Sequence, residues 1–287
     1  MHSLFLASSN ESNPACHGAY RWWQRLFRLH TLDHRRVGSS RILGTGVLLS
    51  IRSIFFAYTL TVWIFTIVYD AKHGRIQGHF VYFTYLCHTG LLAYFASSTF
   101  HTLQLWRRRG SPSSFTNMPK TLQLLHWLLF NSVLLFATVV TVLFWSLVYK
   151  ANDYNGAEQR WSNASVHALN SVCILVDMLV GAMIFSPHWS HSLTLALIAM
   201  LYLALAYINH AVNGWFTYDF LDYGKHKATV APTIIGMFIG FVVVYYVIYS
   251  LQLLLERLLP PRFATQMPLQ DADETEAHQM AAVKSTL

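Results

Sequence analysis

The stretch Y-F-T-Y-L-C-H-T-G, residues 82–90, stands near the start of a long apolar run, 79–106, and carries Thr84 and His88 one helical turn apart. The run is too long for an ordinary buried helix of a soluble domain. At 1.5 Å per residue it spans a hydrocarbon core of about 30 Å. Composition agrees. The chain has 287 residues, of which 54% are hydrophobic, 15% aromatic and only 11% charged, against roughly 25% charged in soluble domains. Five further runs of similar length share the pattern, giving expected spans at 46–69, 79–106, 121–149, 163–185, 190–210 and 229–256. The expected fold class is therefore all-α, a polytopic six-helix transmembrane bundle.

Six spans put both termini on one side. Fourteen Lys and Arg lie in the segments of that side and six in the opposite loops, so the positive-inside rule predicts cytoplasmic N- and C-termini. Three regions result: a cytoplasmic N-terminal extension (1–45), the membrane domain (46–256) and an acidic, disordered tail (257–287). In R-W-W-Q-R-L-F-R-L-H, residues 21–30, Trp22, Leu26 and Leu29 share a helical face flanked by Arg21, Arg25 and Arg28. That pattern suits an interfacial helix and equally an aromatic-basic flank before the first span. The opening ten residues lack the basic n-region and long h-region of a signal peptide. Cys16, Cys87 and Cys173 have no metal or redox spacing, and no nucleic-acid motif accompanies the net charge of +7.

The polar residues inside the spans are the candidate site, because ionisable groups at membrane depth are costly. In W-S-N-A-S-V-H-A-L-N-S-V-C-I-L-V-D-M, residues 161–178, the side chains Asn163, His167, Asn170 and Asp177 fall on one α-helical stripe. Such a stripe holds helices together by hydrogen bonds or lines a cavity; Asp177 is read as structural. For Asn163 and Asn170 the hydrogen-bonding role is favoured, and depth supplies the sharper argument for a site. Thr84 and His167 are each expected about five residues inside the non-cytoplasmic surface. His210, in I-N-H-A-V-N-G, and Tyr218, in the loop after it, arrive at the same leaflet.

Thr is a weak nucleophile until a base takes its proton, and His is the usual base. Thr84 with His167 would form such a pair at the headgroup level, where an acyl ester carbonyl and water meet. His88, Asn170, His210 and Tyr218 are the candidate substrate-pocket residues. No metal or organic cofactor is implied.

Four motifs carry a family resemblance over about residues 45–256: F-T-Y (83–85), F-W-S-L-V-Y (144–149), W-S-N-A-S-V-H (161–167) with I-L-V-D-M (174–178), and H-A-V-N-G-W-F-T-Y-D-F-L-D (210–222). Together they resemble the androgen-induced gene family and its Rolling stone-like relatives. The resemblance implies a multipass hydrolase of fatty acid esters of hydroxy fatty acids, with a Thr nucleophile at Thr84 and a catalytic His at His167. The chain departs from the mammalian pattern at Cys87, Ala164 and Ala211. The alternative, drawn from the Rolling stone branch, is a non-enzymatic multipass protein of adhesion, fusion or signalling. Haem ligation finds no matching His pair on a second span, and a transporter path finds no internal repeat. The expected partner is a membrane lipid or fatty-acid ester. The expected location is the endoplasmic reticulum, another endomembrane or the plasma membrane, with oligomeric state left open.

Overall fold

A computed structural model describes residues 22–29, 33–108, 114–149, 156–186 and 188–261. Among the described residues the regular elements are all helical, with one isolated bridge between Ser40 and Gly181. A short α1 (Trp22–Leu26) precedes α2 (Thr45–Lys72), α3 (Ile76–His79) and α4 (Phe83–Arg107). Then come α5 (Lys120–Leu143), α6 (Ala157–Ala164), α7 (Asn170–Val180), α8 (Trp189–Asn213) and α9 (Val230–Leu258). Two π-helical turns interrupt this order. Phe144–Val148 extends α5, and Ser165–Leu169 joins α6 to α7 into one rod. Five helices are long and apolar enough to cross a membrane: Thr45–Lys72, Lys120–Val148, Ala157–Val180, Trp189–Asn213 and Val230–Leu258. Phe83–Arg107 is comparably long but stands outside this set, because Thr84, His88, Ser97, Ser98, His101 and Thr102 lower its apolar content.

The central helix is α5. Its Trp127, Phe130 and Leu134 are fully buried with Leu91, Tyr94 and Phe95 of α4 and Ile174 of α7. By contrast, α8 and α9 turn Leu193, Leu197, Leu201, Ile235, Phe238 and Val243 outward, the exposed apolar surface a bilayer would cover. Between α2, α4 and α7 lies a fully buried ion pair. Arg52 Nε donates to Asp177 Oδ1 at 2.7 Å, and Arg52 also donates to Thr102 Oγ1 and the Val37 carbonyl. Tyr94 donates to Asp177 Oδ2 at 2.6 Å.

Several sequence expectations change at this level. Arg52 and Arg41 are interior rather than surface charge; Arg41 pairs with Glu256 at 2.5 Å. The fourth rod runs 157–180, not 163–185. It stops at Gly181, where a Cβ would stand 2.6 Å from the Asp177 carbonyl, and residues 182–186 belong to no regular element. At the N-terminus, α1 is only five residues long. Arg28 has φ 47, Trp22 faces solvent and Leu29 is buried, so these residues do not share one amphipathic face. The remainder of the N-terminal extension to residue 21, the tail from 262, Cys16 and Arg21 lie outside the described residues.

Candidate active site

Thr84 sits in the first turn of α4, a place fixed by the backbone before it. Tyr82 is extended at ψ 128 and starts the helix. The Phe83 N–H donates to the Tyr202 hydroxyl at 3.2 Å, and that hydroxyl donates to the Val81 carbonyl at 3.2 Å. A tyrosine from the middle of α8 thus clasps the entry into α4. Thr84 is buried, with the Tyr218 side chain close to both it and Tyr202. Burial pushes the Tyr218 phenol up to about 12, so it stays protonated. The positive end of the α4 dipole lies at the same turn.

His167 is placed by the π turn Ser165–Leu169. A π turn inserts one residue into the α-helical count and rotates the helix beyond it. The expected stripe is consequently divided among three partners. Asn163 faces a cavity, Asn170 Oδ1 pairs with His88 Nδ1 at 2.8 Å, and Asp177 pairs with Arg52. His167 instead lies flat on Phe144, the first residue of the other π turn, with ring centroids 3.5 Å apart and planes 7° from parallel. Its carbonyl accepts from Trp145 Nε1 at 3.3 Å, and its Nδ1 is buried with no protein partner among the described residues.

One cavity of about 910 Å³ takes in both Thr84 and His167. Its polar lining includes Asn163, Gln159, Tyr202, Tyr218, Asp70 and His79; its apolar lining comes from α5, α8 and α9, including Phe136, Val140, Ala199, Leu203 and Phe241. An amphipathic cavity of this size suits a molecule with a polar group and one or more aliphatic chains. Equal depth counted in residues does not bring the two side chains together: Thr84 is in the first turn of its helix, whereas His167 lies ten residues past the start of its rod at Ala157. Both line the cavity because the rod starts earlier than its apolar run.

Of the other expected pocket residues, Tyr218 lines the cavity, while His88, Asn170 and His210 do not. His88 is tied to Asn170 and, through Nε2, to the Thr59 carbonyl at 3.0 Å. His210 stacks on Phe216 at 3.7 Å, one turn before Gly214 ends α8 at φ 76. Cys87 and Cys173 are free and buried. Among the described residues no group of three or more His, Cys, Asp or Glu could hold a metal ion. Sequence reading missed Asp70, His79, Tyr202 and Phe144. Asp70 and His79 lie at helix ends on either side of a short connection and Tyr202 on an apolar helix, none in a local motif; Phe144 opens the F-W-S-L-V-Y motif but has no polar group to mark it.

In comparison with known proteins, residues 48–255 match the model of the family described as FAR-17a/AIG1-like protein. No similar curated protein and no similar solved structure was found.

Proposed function

The chain belongs to the FAR-17a/AIG1-like family, the androgen-induced gene family, and from that premise and the cavity's lining we propose that it is an integral membrane carboxylic-ester hydrolase with Thr84 as nucleophile and His167 as base. One observation carries the reading: a buried Thr and a half-buried His whose Nδ1 has no partner among the described residues line the same amphipathic cavity.

The chemistry rests on the groups around Thr84. His167 takes the hydroxyl proton as Thr84 Oγ attacks the ester carbonyl. The Tyr218 hydroxyl and the positive end of α4 stabilise the oxyanion. The tetrahedral intermediate then collapses, the C–O bond to the leaving hydroxyl breaks, and His167 returns the proton to it. The acyl chain rests against Phe136, Val140, Ala199 and Phe241. The substrate class is a fatty acid ester of a hydroxy fatty acid or a related acyl ester.

The same proposal includes six spans, with α4 as the second, and both termini in the cytoplasm. Leaving out the buried Arg41 and Arg52, twelve Lys and Arg against six still favour that orientation. The membrane is that of the endoplasmic reticulum, another endomembrane or the cell surface.

Labelling with a fluorophosphonate serine-hydrolase probe tests the assignment. Wild type and Thr84→Ser should label, and Thr84→Ala and His167→Ala should not. An unlabelled wild type that also leaves a branched fatty-acid ester intact would return the chain to the non-enzymatic, Rolling stone-like reading.

A further inference from the structure

His79, the last residue of α3, is 1% exposed and lines the same cavity as Thr84. Its ring is fixed on two sides. It stacks on Tyr85, with centroids 3.9 Å apart and planes 13° from parallel, and Nδ1 lies 2.8 Å from Asp70 Oδ2. Asp70, at the end of α2, also accepts from Arg75 Nε at 3.3 Å and pairs with its guanidinium. An arginine-paired carboxylate is an acceptor, so Nδ1 carries the proton and Nε2 of the neutral ring holds the lone pair. That Nε2 is buried and has no partner among the described residues. A buried, unpaired ring nitrogen is costly, and here it belongs to a His oriented by a carboxylate, the arrangement that defines a general base.

His167 and His79 differ in their surroundings. His167 rests on an aromatic face inside a span. His79 ends a connection whose residues 71–77 are all exposed, and Asp70 fixes its ring through Nδ1.

Resting on the hydrolase reading, we propose that His79, held by Asp70, is the base that activates water to release the acyl group from Thr84. Water attacks the acyl carbon and its proton passes to His79 Nε2. The C–O bond to Thr84 Oγ then breaks, and Oγ takes the proton back from Nε2. His79 acts on the reacting water as a catalytic residue, and Asp70 is a positioning residue.

Pre-steady-state hydrolysis of p-nitrophenyl octanoate by the full-length chain in nanodiscs separates the two steps, because the nitrophenolate leaves without needing a proton. His79→Gln should release about one equivalent of nitrophenol per chain and then turn over at least about 100-fold more slowly than wild type, with an octanoyl adduct on the Thr84 peptide. Asp70→Asn should show the same split to a smaller degree, keeping its burst while turnover falls about tenfold. The proposal is overturned if both variants turn over like wild type, or if Asp70→Asn loses burst and turnover equally. Failure of the underlying reading looks different: wild type gives no hydrolysis, or Thr84→Ala hydrolyses as wild type does.

Discussion

Phe144 and His167 stack face to face at 3.5 Å, and each sits in a π turn of its own rod. Two helices that would otherwise run in regular register are both underwound at the level of the cavity. The stack sets the plane of the imidazole and shields one of its faces. Phe144→Leu should keep the fold but free the ring, lowering the rate of fluorophosphonate labelling at Thr84 by about tenfold, as expected for a loosened base. Labelling at the wild-type rate would show that the stack has no part in positioning His167.

In the hydrolase reading, Tyr218 is the donor to the oxyanion formed at Thr84. Tyr218→Phe should lower kcat on a fatty-acyl ester by roughly 100-fold, the cost of removing one donor from an oxyanion site, with KM little changed. An unchanged kcat would remove Tyr218 from the site.

The pH dependence of the same residue has a definite sign. Burial raises the Tyr218 phenol from its ordinary value near 10 to about 12. A raised value means that the folded state favours the neutral phenol, so its contribution is complete below about pH 10 and lost as pH rises through about 12. Activity between pH 8 and 10 should therefore show no decline that disappears in Tyr218→Phe. A fall centred near pH 10 in wild type alone would contradict this environment.

The Arg52–Asp177 pair should behave as a buried ion pair does. Asp177→Asn leaves the guanidinium without its counter-charge and should destabilise the fold by about 3–5 kcal/mol, read as a loss of folded protein on heating in detergent. The double variant Arg52→Met, Asp177→Leu should recover most of that loss. A single variant as stable as wild type would mean that water or lipid already screens the pair.

Orientation is checked by cysteine labelling in intact cells, in a Cys16→Ser background. Lys225→Cys should react with an impermeant maleimide at the non-cytoplasmic face, directly in cells if the chain is at the surface and only after isolated vesicles are permeabilised if it is internal. Arg257→Cys should react only from the cytoplasmic side. The reverse pattern would invert the topology.

The sequence disclosed the long helices to within a few residues wherever the apolar run and the helix coincide, as at 45–72 and 230–258. It misplaced the rod at 157–180, because A-E-Q-R-W-S-N-A is polar yet helical and projects beyond the apolar segment. Thr84 and His167 were legible as out-of-place polar residues. The stripe through Asn163, Asn170 and Asp177 assumed a constant helical register, and a π turn leaves no composition signal. Asp70 and His79 escaped notice because nine residues and a loop separate them; only the fold joins them.

The pairing of Arg52 with Asp177 also has a consequence for biogenesis. The two residues are 125 positions apart in sequence. During synthesis, α2 enters the bilayer long before its carboxylate partner exists, and an arginine inside a helix raises the insertion cost by about 2.5–3.5 kcal/mol. The first span therefore remains the least settled part of the nascent chain until α7 emerges. Completion of the fourth rod closes the bundle and seats α2 in it.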